Sequence, residues 1–402
     1  MSVYIFDAVR TPRGKGKPDG SLAGVTPARL IAQLVAALRA RLGRDAVQAL
    51  EHFSLGCVTQ TNVQGGHLAL TSRIRAGLPE TVACMTNNTF CISGLTALAD
   101  AARRVQSGQV DWALAGGVES MSQVTFLGDD ADYYTDMALA GAMGWAPVGV
   151  AADLLATRAG LERADLDAAV LRSHQRAAAA WAAGKFAHRV IAITDENGAV
   201  ALAHDENIRD FGNGAALARL GPVFAAPGAQ GFDAIVLAHK PELQAVRHLH
   251  TIAHCPPISD GAALLVVGTR ETGRRFGLQP RARIRAIAET SADPVLQLTA
   301  GFSAMELALK RAGLTLDQIG AIEFMEAFAA VPVIFEQRYG PDMARVNPNG
   351  GHLAMGHPMG ATGAILAGAL LDDMRQLNAE TGLVAATGGV GVGAAMVLER
   401  VD

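Results

Sequence analysis

Two side chains, His357 and Cys91, lie in surroundings that suit acid–base and nucleophilic chemistry. His357 is embedded in the glycine-rich string NPNGGHLAMGHPMGATG (347–363), after which helical spacing resumes. Glycine lets a backbone approach a ligand closely, and the free N–H groups of a helix N-terminus favour anions. His357 is therefore predicted to act as an acid–base group facing developing negative charge. A hydrogen-bonded histidine in a structural turn is the alternative.

Cys91 lies in NNTFCISGL, immediately before a predicted helix. Unpaired N–H groups and the helix dipole at such a position stabilise a thiolate, so we expect a lowered pKa. Cys57 and Cys84 have the surroundings of ordinary small core residues. Cys91 is the candidate nucleophile.

Strand and helix patterns alternate through the first part of the chain. VYIFDAV (3–9) is a predicted strand, and TPARLIAQLVAALRARLG (26–43) is an amphipathic helix starting at a threonine cap. ISGLTALADAARRVQSG (92–108) is a second helix, and DWALAGG (111–117) is a short buried strand. This alternation predicts a largely parallel sheet with helices on both faces.

The sequence pattern changes between about residues 120 and 250, where polar, turn-rich segments surround one predicted helix, RADLDAAVLRSHQRAAAAWAAG (163–184). We interpret this region as an insertion. Strand character returns in GAALLVVG (261–268), which resembles GAAMVLER (393–400) near the chain end. The similarity indicates two equivalent halves.

Composition restricts the class of protein. Half of the 402 residues are apolar, 18% are charged and the net charge is −4, without a Lys/Arg-rich run. These values favour a compact α/β enzyme over a protein that binds nucleic acid or an anionic membrane. The N-terminus lacks a secretory pattern, and we expect no apolar stretch long enough to span a bilayer. Four cysteines without a C-x-x-C pair predict a reducing, cytoplasmic location.

Two further segments, EFMEAFAAV (323–331) and GLVAATGGVGVGAAMVLER (382–400), complete a pattern with the Cys91 and His357 strings. Together the four segments resemble the thiolase family, which includes acetyl-CoA acetyltransferases and 3-ketoacyl-CoA thiolases. That family has an N-x-x-C-x-S-G-L motif, an N-E-A-F or H-E-A-F motif, a G-H-P loop and a C-terminal Cys-x-G-G-x-G turn. The resemblance begins at RTPRGKG (10–16) and covers essentially the whole chain.

The resemblance implies an α/β fold with a five-layered core of two similar halves and an inserted loop domain. The N-terminal half would span 1–269, with the loop domain at about 120–250, and the C-terminal half 270–402. It also implies a homodimer or homotetramer that uses acyl-CoA thioesters as substrates, without a further cofactor or metal. The implied reaction is ping-pong acyl transfer: a cysteine takes the acyl group, and coenzyme A or an enolate then attacks the acyl-enzyme.

The resemblance also assigns roles to individual residues. Cys91 would be the acylated nucleophile and His357 its base, and the backbone N–H groups of Cys91 and Gly389 would form the oxyanion hole. Glu119, Glu326 and Asp260 would be framework residues. The implied substrate-binding residues are Arg209, Phe224, Pro256 and Phe328.

Four positions depart from the family pattern. Thr387 replaces the second cysteine, which moves the proton of the substrate α-carbon or of the incoming thiol, and a hydroxyl is a poor base near neutrality. Met325 replaces the Asn or His that supports a second oxyanion hole. Pro256 and Pro257 stand at the Ser-Gly positions of the coenzyme-binding G-N-x-S-G run, and proline removes a donor there.

These departures leave alternatives open. The chain could perform Claisen chemistry or thiolysis with His357 alone, or with a replacement group such as a histidine or Cys255. It could instead transfer acyl groups without condensation, or hydrolyse thioesters. A non-catalytic, thiolase-shaped subunit is a third hypothesis. The run HLHTIAHC (248–255) contains possible metal ligands, but a structural role for its histidines is the stronger interpretation.

Overall fold

The computed structural model describes residues 1–401 as an α/β protein built around a large mixed sheet. The strands are β1 Val3–Arg10, β2 Gly14–Lys15, β3 His52–Gly56, β4 Ala83–Asn87, β5 Trp112–Ser120, β6 Ile193–Thr194, β7 Val200–Leu202, β8 Ser259–Gly268, β9 Ala282–Ser291, β10 Ala321–Phe324, β11 Thr381–Gly388 and β12 Val392–Arg400. The α-helices are α1 Pro27–Leu42, α2 Arg44–Gln48, α3 Leu68–Arg75, α4 Ser93–Gln106, α5 Met137–Met143, α6 Val148–Arg158, α7 Arg163–Ala182, α8 Ala225–Pro227, α9 Asp233–His239, α10 Arg270–Arg275, α11 Ala300–Ala312, α12 Ala330–Tyr339, α13 His352–Met355 and α14 Thr362–Gln376.

The large sheet has the order β10-β11-β12-β9-β1-β8-β5-β3-β4, with β2 beside β8. Parallel pairs occur on its flanks, where β10 lies beside β11 and β3 lies between β4 and β5. The pairs between these flanks are antiparallel. The prediction of a largely parallel sheet is therefore wrong for the centre. Local alternation could not reveal that β8 and β12 return beside the first strands of their halves.

The sheet consists of two wings with the same strand order. Moving outward from the centre, one wing runs β1-β8-β5-β3 and the other β9-β12-β11-β10. In the first wing β4 flanks β3, and in the second Val346 bridges β10 in parallel at the corresponding place. The wings meet where Val3–Ile5 of β1 pair with 282–284 of β9. This repetition explains the similarity of GAALLVVG and GAAMVLER.

Helices cover both faces of each wing and produce five layers. α1 lies on the outside of the first wing and α11 on the outside of the second, while α4 and α14 lie between the wings. The stripe that α1 buries comes from apolar residues at helical spacing: Leu30, Ile31, Leu34, Val35 and Leu38. The fold is therefore a five-layered α/β core.

The two central helices cross in close contact through glycines. A Cβ added to Gly363 of α14 would lie 2.3 Å from the backbone N of Leu95, and one added to Gly94 of α4 would lie 2.8 Å from the N of Ala364. Any side chain at these positions would separate the helices. Because α4 begins just after Cys91 and α14 begins shortly after His357, this crossing positions both candidate catalytic segments.

Residues 121–258 add no strand to the large sheet and contain the small hairpin β6–β7 and helices α5 to α9. Within residues 1–401, one segment, Met137–Arg158, is long and apolar enough by composition to cross a membrane, contrary to our expectation. Most of its apolar stretch is buried in the fold. Gly144, which has a positive φ, and Pro147 divide the segment into α5 and α6. A buried core segment gives the same pattern.

Most of the individually predicted elements are present. β1, α1, α4, α7, β8 and β12 occupy the expected segments, and Gly108, with φ of 75°, follows the end of α4. The strand predicted at 111–117 is longer, extending through Ser120. Thr26 occupies the N-cap of α1 but its side chain makes no capping hydrogen bond.

Candidate active site

A single cavity of about 920 Å³ opens between the two wings and the 121–258 region. Cys91 and His357, which are far apart in the sequence, both line it. The predicted residues Gly389, Met325, Arg209, Phe224, Pro256 and Phe328 line it as well. The structure thus brings together every predicted site residue except Thr387, which is not part of the cavity wall.

A tight turn presents Cys91 to the cavity. Phe90 has a positive φ of 52°, which is uncommon for a bulky residue, and its N–H donates to Asn88 Oδ1 over 2.9 Å. Ser93 closes the turn, because its hydroxyl donates to the Phe90 carbonyl and accepts from the Thr89 N–H. The chain therefore reverses at Cys91 and enters α4 directly afterwards. Backbone strain of this kind concentrates at functional sites.

The electrostatic environment of Cys91 differs from our expectation. Its Sγ accepts hydrogen bonds from the N–H groups of Gly389 and of Cys91 itself, which stabilise a thiolate. Burial is the larger effect, and with the nearby Glu119 carboxylate it raises the pKa of the thiol to about 12. The prediction of a lowered pKa is therefore wrong. Cys91 is a protonated thiol at neutral pH and needs a base.

His357 has the hydrogen-bond pattern of such a base. Its Nδ1 lies 2.6 Å from Thr362 Oγ1, and the Thr362 hydroxyl donates to the Pro358 carbonyl. Because that hydroxyl has only one proton, it accepts from Nδ1–H, which leaves Nε2 as the unprotonated nitrogen. Nε2 has no partner among residues 1–401. Burial, with a contribution from Arg13, lowers the pKa of His357 to about 3, so the ring is neutral near pH 7.

Gly389 and its neighbours connect the second wing to Cys91. A Cβ added to Gly388 would lie 3.2 Å from the Cys91 backbone N, so this position needs a small residue. Val390 follows with φ of 57°, and its N–H donates to Gln297 Oε1 over 3.3 Å. Gln297 also donates to the Ala146 carbonyl, so it ties the glycine turn to the inserted region.

The two altered positions occupy different places. Met325 is buried and its side chain lines the cavity, where a polar residue would contact substrate. Thr387 is also buried, but it lies against the start of α11, where its Cβ is 3.1 Å from a Cβ added to Gly301. Its hydroxyl has no hydrogen-bond partner among residues 1–401. Of these two positions, Met325 is the one that lines the cavity.

Glu119 holds the catalytic loops together. Its buried carboxylate accepts from the N–H groups of Val58 and Thr59, from Gln64 Nε2, and from the N–H of Gly360 in the His357 loop. Burial raises its pKa despite these bonds. Glu119 has the contacts of the predicted framework residue.

Glu326 and Asp260 make similar structural contacts. Glu326 accepts from the Ser173 hydroxyl and the Leu353 N–H, and burial raises its pKa. Asp260 accepts from the N–H and hydroxyl of Ser122, and burial raises its pKa to about 6. Their partners lie in α7, in α13 and in the loop after β5.

The histidines of residues 248–255 each pair with a carboxylate. His248 lies between Asp153 and Asp233, His250 Nδ1 lies 2.7 Å from Asp153, and His254 Nε2 lies 2.7 Å from Asp167. Across residues 1–401, no group of three or more His, Cys, Asp or Glu side chains could hold a metal ion. The histidine pairs tie this loop to α6, α7 and α9.

The same loop contributes Cys255 to the cavity wall. Cys255 Sγ donates to the Thr251 carbonyl, and burial raises the pKa of the thiol to about 12. It therefore remains protonated and is not a ready base. Cys57 is buried beside Glu119, whereas Cys84 is only half-buried on β4, contrary to the expected core position.

The cavity has an apolar interior, and its wall includes the carboxylates Asp19 and Asp129 as well as three cations. Lys15, Lys17 and Arg209 lie at its edge, and Arg209 is exposed and makes no ion pair with a described carboxylate. Phe224 packs on Phe328, which has φ of 61°, at 5.9 Å between ring centroids. Sequence reasoning missed the aromatic wall from the inserted region, formed by Phe126, Tyr133, Tyr134 and Trp145.

Two positioning contacts of His357 were also missed. Thr362 lies 5 residues after His357, and its hydroxyl at the start of the predicted helix could have indicated the hydrogen bond to Nδ1. Pro257 accepts a hydrogen bond from the His357 N–H over 2.8 Å. The proline loop therefore supports the catalytic segment through a carbonyl, which proline retains.

A thiol beside backbone N–H groups and a neutral imidazole in one largely apolar cavity are groups suited to acyl transfer through a cysteine. Comparison with known proteins agrees. Residues 3–231 match the model of the thiolase N-terminal domain, and residues 278–400 match that of the thiolase C-terminal domain.

Relatives that match along their full length are named 3-ketoacyl-CoA thiolases. The chain is 35% identical to a 3-ketoacyl-CoA thiolase of Escherichia fergusonii over 99% of both chains. It is 35% identical to one of Alcanivorax borkumensis, covering 99% of this chain and 98% of that protein. It is 33% identical to one of Photobacterium profundum over the full length of both. The chain belongs to the thiolase family and is an acyltransferase of the thiolase type that acts on acyl-CoA.

Proposed function

We propose that this enzyme cleaves 3-ketoacyl-CoA with coenzyme A, using Cys91 as nucleophile and His357 as a single base for both half-reactions. The observation that carries the proposal is the shared cavity, in which Cys91 Sγ receives the Gly389 N–H and His357 has a free Nε2. The similarity to 3-ketoacyl-CoA thiolases along the full chain supports thiolysis over non-condensing acyl transfer, thioester hydrolysis or a non-catalytic role as a subunit.

In the first half-reaction, His357 Nε2 takes the proton of the Cys91 thiol, and the thiolate attacks the 3-keto carbon. The N–H groups of Cys91 and Gly389 bind the oxyanion that forms. The C2–C3 bond then breaks, and its electron pair leaves as the enolate of acetyl-CoA. The imidazolium returns its proton to that carbon, giving acetyl-CoA and acyl-Cys91.

In the second half-reaction, His357 takes the proton of the coenzyme A thiol, and the coenzyme thiolate attacks the acyl carbon. The same two N–H groups bind the second oxyanion. Cys91 leaves as a thiolate and regains its proton from the imidazolium. The sum is 3-ketoacyl-CoA plus coenzyme A giving acyl-CoA plus acetyl-CoA, with no proton left over.

The walls of the cavity support coenzyme A as the thiol carrier. Lys15, Lys17 and Arg209 offer cationic groups for phosphates, and Phe224 and Phe328 offer apolar surface for the pantetheine arm. Pro256 would contribute shape without a hydrogen-bond donor. On this proposal the enzyme uses no resident cofactor or metal, works in lipid metabolism and is cytoplasmic. The domain boundary would lie at 269/270, between β8 and α10, with the loop domain at about 120–250.

Met325 provides a test of where the enolate oxygen binds in the cavity. Replacing it with asparagine introduces an amide donor that can stabilise the enolate oxygen, so we expect kcat for thiolysis to rise at least about tenfold, since one such donor contributes about 10²–10³. The measurement is the formation of acetyl-CoA from a 3-ketoacyl-CoA series. Thr387→Cys should increase the rate less, because position 387 lies outside the cavity wall.

Met325→Leu is the matched control, since it keeps the size and apolar character of the side chain. An equal rate in the Asn and Leu variants would contradict the assignment of Met325 to the enolate site. Failure of the unaltered enzyme to release acetyl-CoA from every 3-ketoacyl-CoA would contradict thiolysis itself.

We also propose a homodimer, or a homotetramer built from such dimers, formed along β4. This strand ends the sheet and has no neighbour on its outer side among residues 1–401. The adjacent residues Val63, Leu70 and Ile74 are exposed, Ile74 by 63%. An uncovered edge beside apolar side chains is a surface that a second copy would bury.

Light scattering is expected to give about twice the chain mass of 41.7 kDa, or a multiple of that. Ile74→Glu should weaken the association at least about tenfold, because it buries a charge in the interface. Leu377→Glu, a change at an exposed leucine elsewhere, is the control. A monomeric unaltered protein at micromolar concentration would contradict the dimer.

A further inference from the structure

A buried arginine lies behind the His357 loop and has no counter-charge of its own. Arg13 is 3% exposed, and its Nη1 donates to the Gly356 carbonyl over 2.9 Å. The nearest acid, Asp205, forms a two-bond ion pair with Arg10 and accepts only the backbone N–H of Arg13. Among residues 1–401, no carboxylate pairs with the Arg13 guanidinium, and its Nε has no partner.

His352 is close to both this cation and the candidate base. It is fully buried on α13, and its ring meets that of His357 edge-on with centroids 5.8 Å apart. Neither of its ring nitrogens has a hydrogen-bond partner among residues 1–401. Burial and Arg13 lower the pKa of His352 well below its usual value, so it adds no charge beside His357.

The surroundings of His357 contain few other charges. The groups facing it or its loop are Arg13 after β1, His352 on α13, Cys91 before α4, and Glu119 on β5, whose carboxylate is occupied by Gly360 and other N–H donors. Asp260 at the start of β8 is turned to Ser122. Arg13 is thus the nearby permanent charge that is not neutralised by a direct partner.

We propose that Arg13 is a positioning residue for the base, holding the loop through the Gly356 carbonyl and adding to the effect of burial in opposing protonation of the His357 imidazole. The proposal rests on the function assigned to His357 above. A cation close to an imidazole disfavours a second positive charge, so the base is unprotonated whenever substrate arrives. His352 maintains the ring orientation by its edge-on contact and transmits no proton.

The test is a pH titration of histidine-labelled protein by ¹⁵N NMR, with His357 assigned from a His357→Asn sample. In the unaltered protein we expect the Nδ1–H tautomer at pH 7 and a His357 midpoint below pH 5. Arg13→Gln keeps a donor for the Gly356 carbonyl but removes the charge, so the midpoint should rise by about one pH unit. Arg13→Lys keeps the charge and should restore the low midpoint.

Arg176→Gln is the matched control, because Arg176 also donates to backbone carbonyls, at Met343, Val346 and Asn347, but does not adjoin His357. An unchanged midpoint in Arg13→Gln, or an equal rise in Arg13→Lys, would overturn the proposal. A midpoint near 6.5 in the unaltered protein would overturn it even if the variants failed to fold. Absence of thiolysis would instead contradict the proposed function, and the titration would still test the role of Arg13.

Discussion

Replacement of Cys91 by alanine is expected to abolish formation of a covalent acyl-enzyme and to lower kcat/KM for thiolysis by at least about 10³-fold. The reason is that no other thiol in the cavity is placed at two converging N–H groups. Cys255 lines the same cavity but donates to a backbone carbonyl. Intact-protein mass spectrometry after incubation with acyl-CoA should therefore show one acyl addition in the unaltered enzyme and none in Cys91→Ala.

Cys84→Ser is the control for this experiment, since Cys84 is a half-buried thiol on β4 outside the cavity. It should retain the adduct and the activity. Peptide mapping should locate the acyl group at Cys91. An adduct that persists in Cys91→Ala would mean that another residue is the nucleophile.

Replacement of His357 by asparagine is expected to lower kcat/KM by about 10²–10⁴-fold, the usual contribution of a general base. The effect should be near the top of this range, because burial keeps the Cys91 thiol protonated and the thiol therefore depends on a base. Asparagine can still hydrogen-bond to Thr362 but cannot accept the thiol proton at neutral pH. Steady-state thiolysis measures the loss, and His204→Gln, at an exposed histidine, is the control.

The pH dependence distinguishes this neutral pair from a thiolate–imidazolium pair. A thiol with a pKa raised to about 12 and an imidazole with a pKa lowered to about 3 are both uncharged from pH 5 to 9. Alkylation of Cys91 by iodoacetamide in the free enzyme should then rise steadily with pH, since the thiolate fraction increases with each pH unit below the pKa. A plateau between pH 6 and 8 would show that the resting pair is ionised.

Sequence patterns located most of the elements that carry these residues. The helical stripes of α1 and α4, the buried runs of β8 and β12, and the helix after the GHP string each depend on neighbours within one segment. The resemblance supplied the pairing of Cys91 with His357, which no local pattern contains. The antiparallel centre of the sheet was missed because it depends on contacts between strands that are far apart in the chain.

The electrostatic state of Cys91 could not be predicted for a related reason. The helix N-terminus and the Gly389 N–H both favour a thiolate, as position in the sequence indicates. Burial among Val58, Met121 and Met359 outweighs them, and these residues come from separate segments. Met325 and Thr387 are both buried, and it likewise depends on contacts between separate segments that Met325 lines the cavity while Thr387 lies against the start of α11.

The glycine contact between α4 and α14 has a consequence for how such enzymes can change. The helices that follow the thiol and the imidazole are spaced at Gly94 and Gly363, where one helix backbone rests on the other. Each helix belongs to a different half of a duplicated fold. A substitution that moved the helix of one half would misalign the thiol and the imidazole unless the other half shifted with it. The two halves of the fold therefore have to change together during evolution.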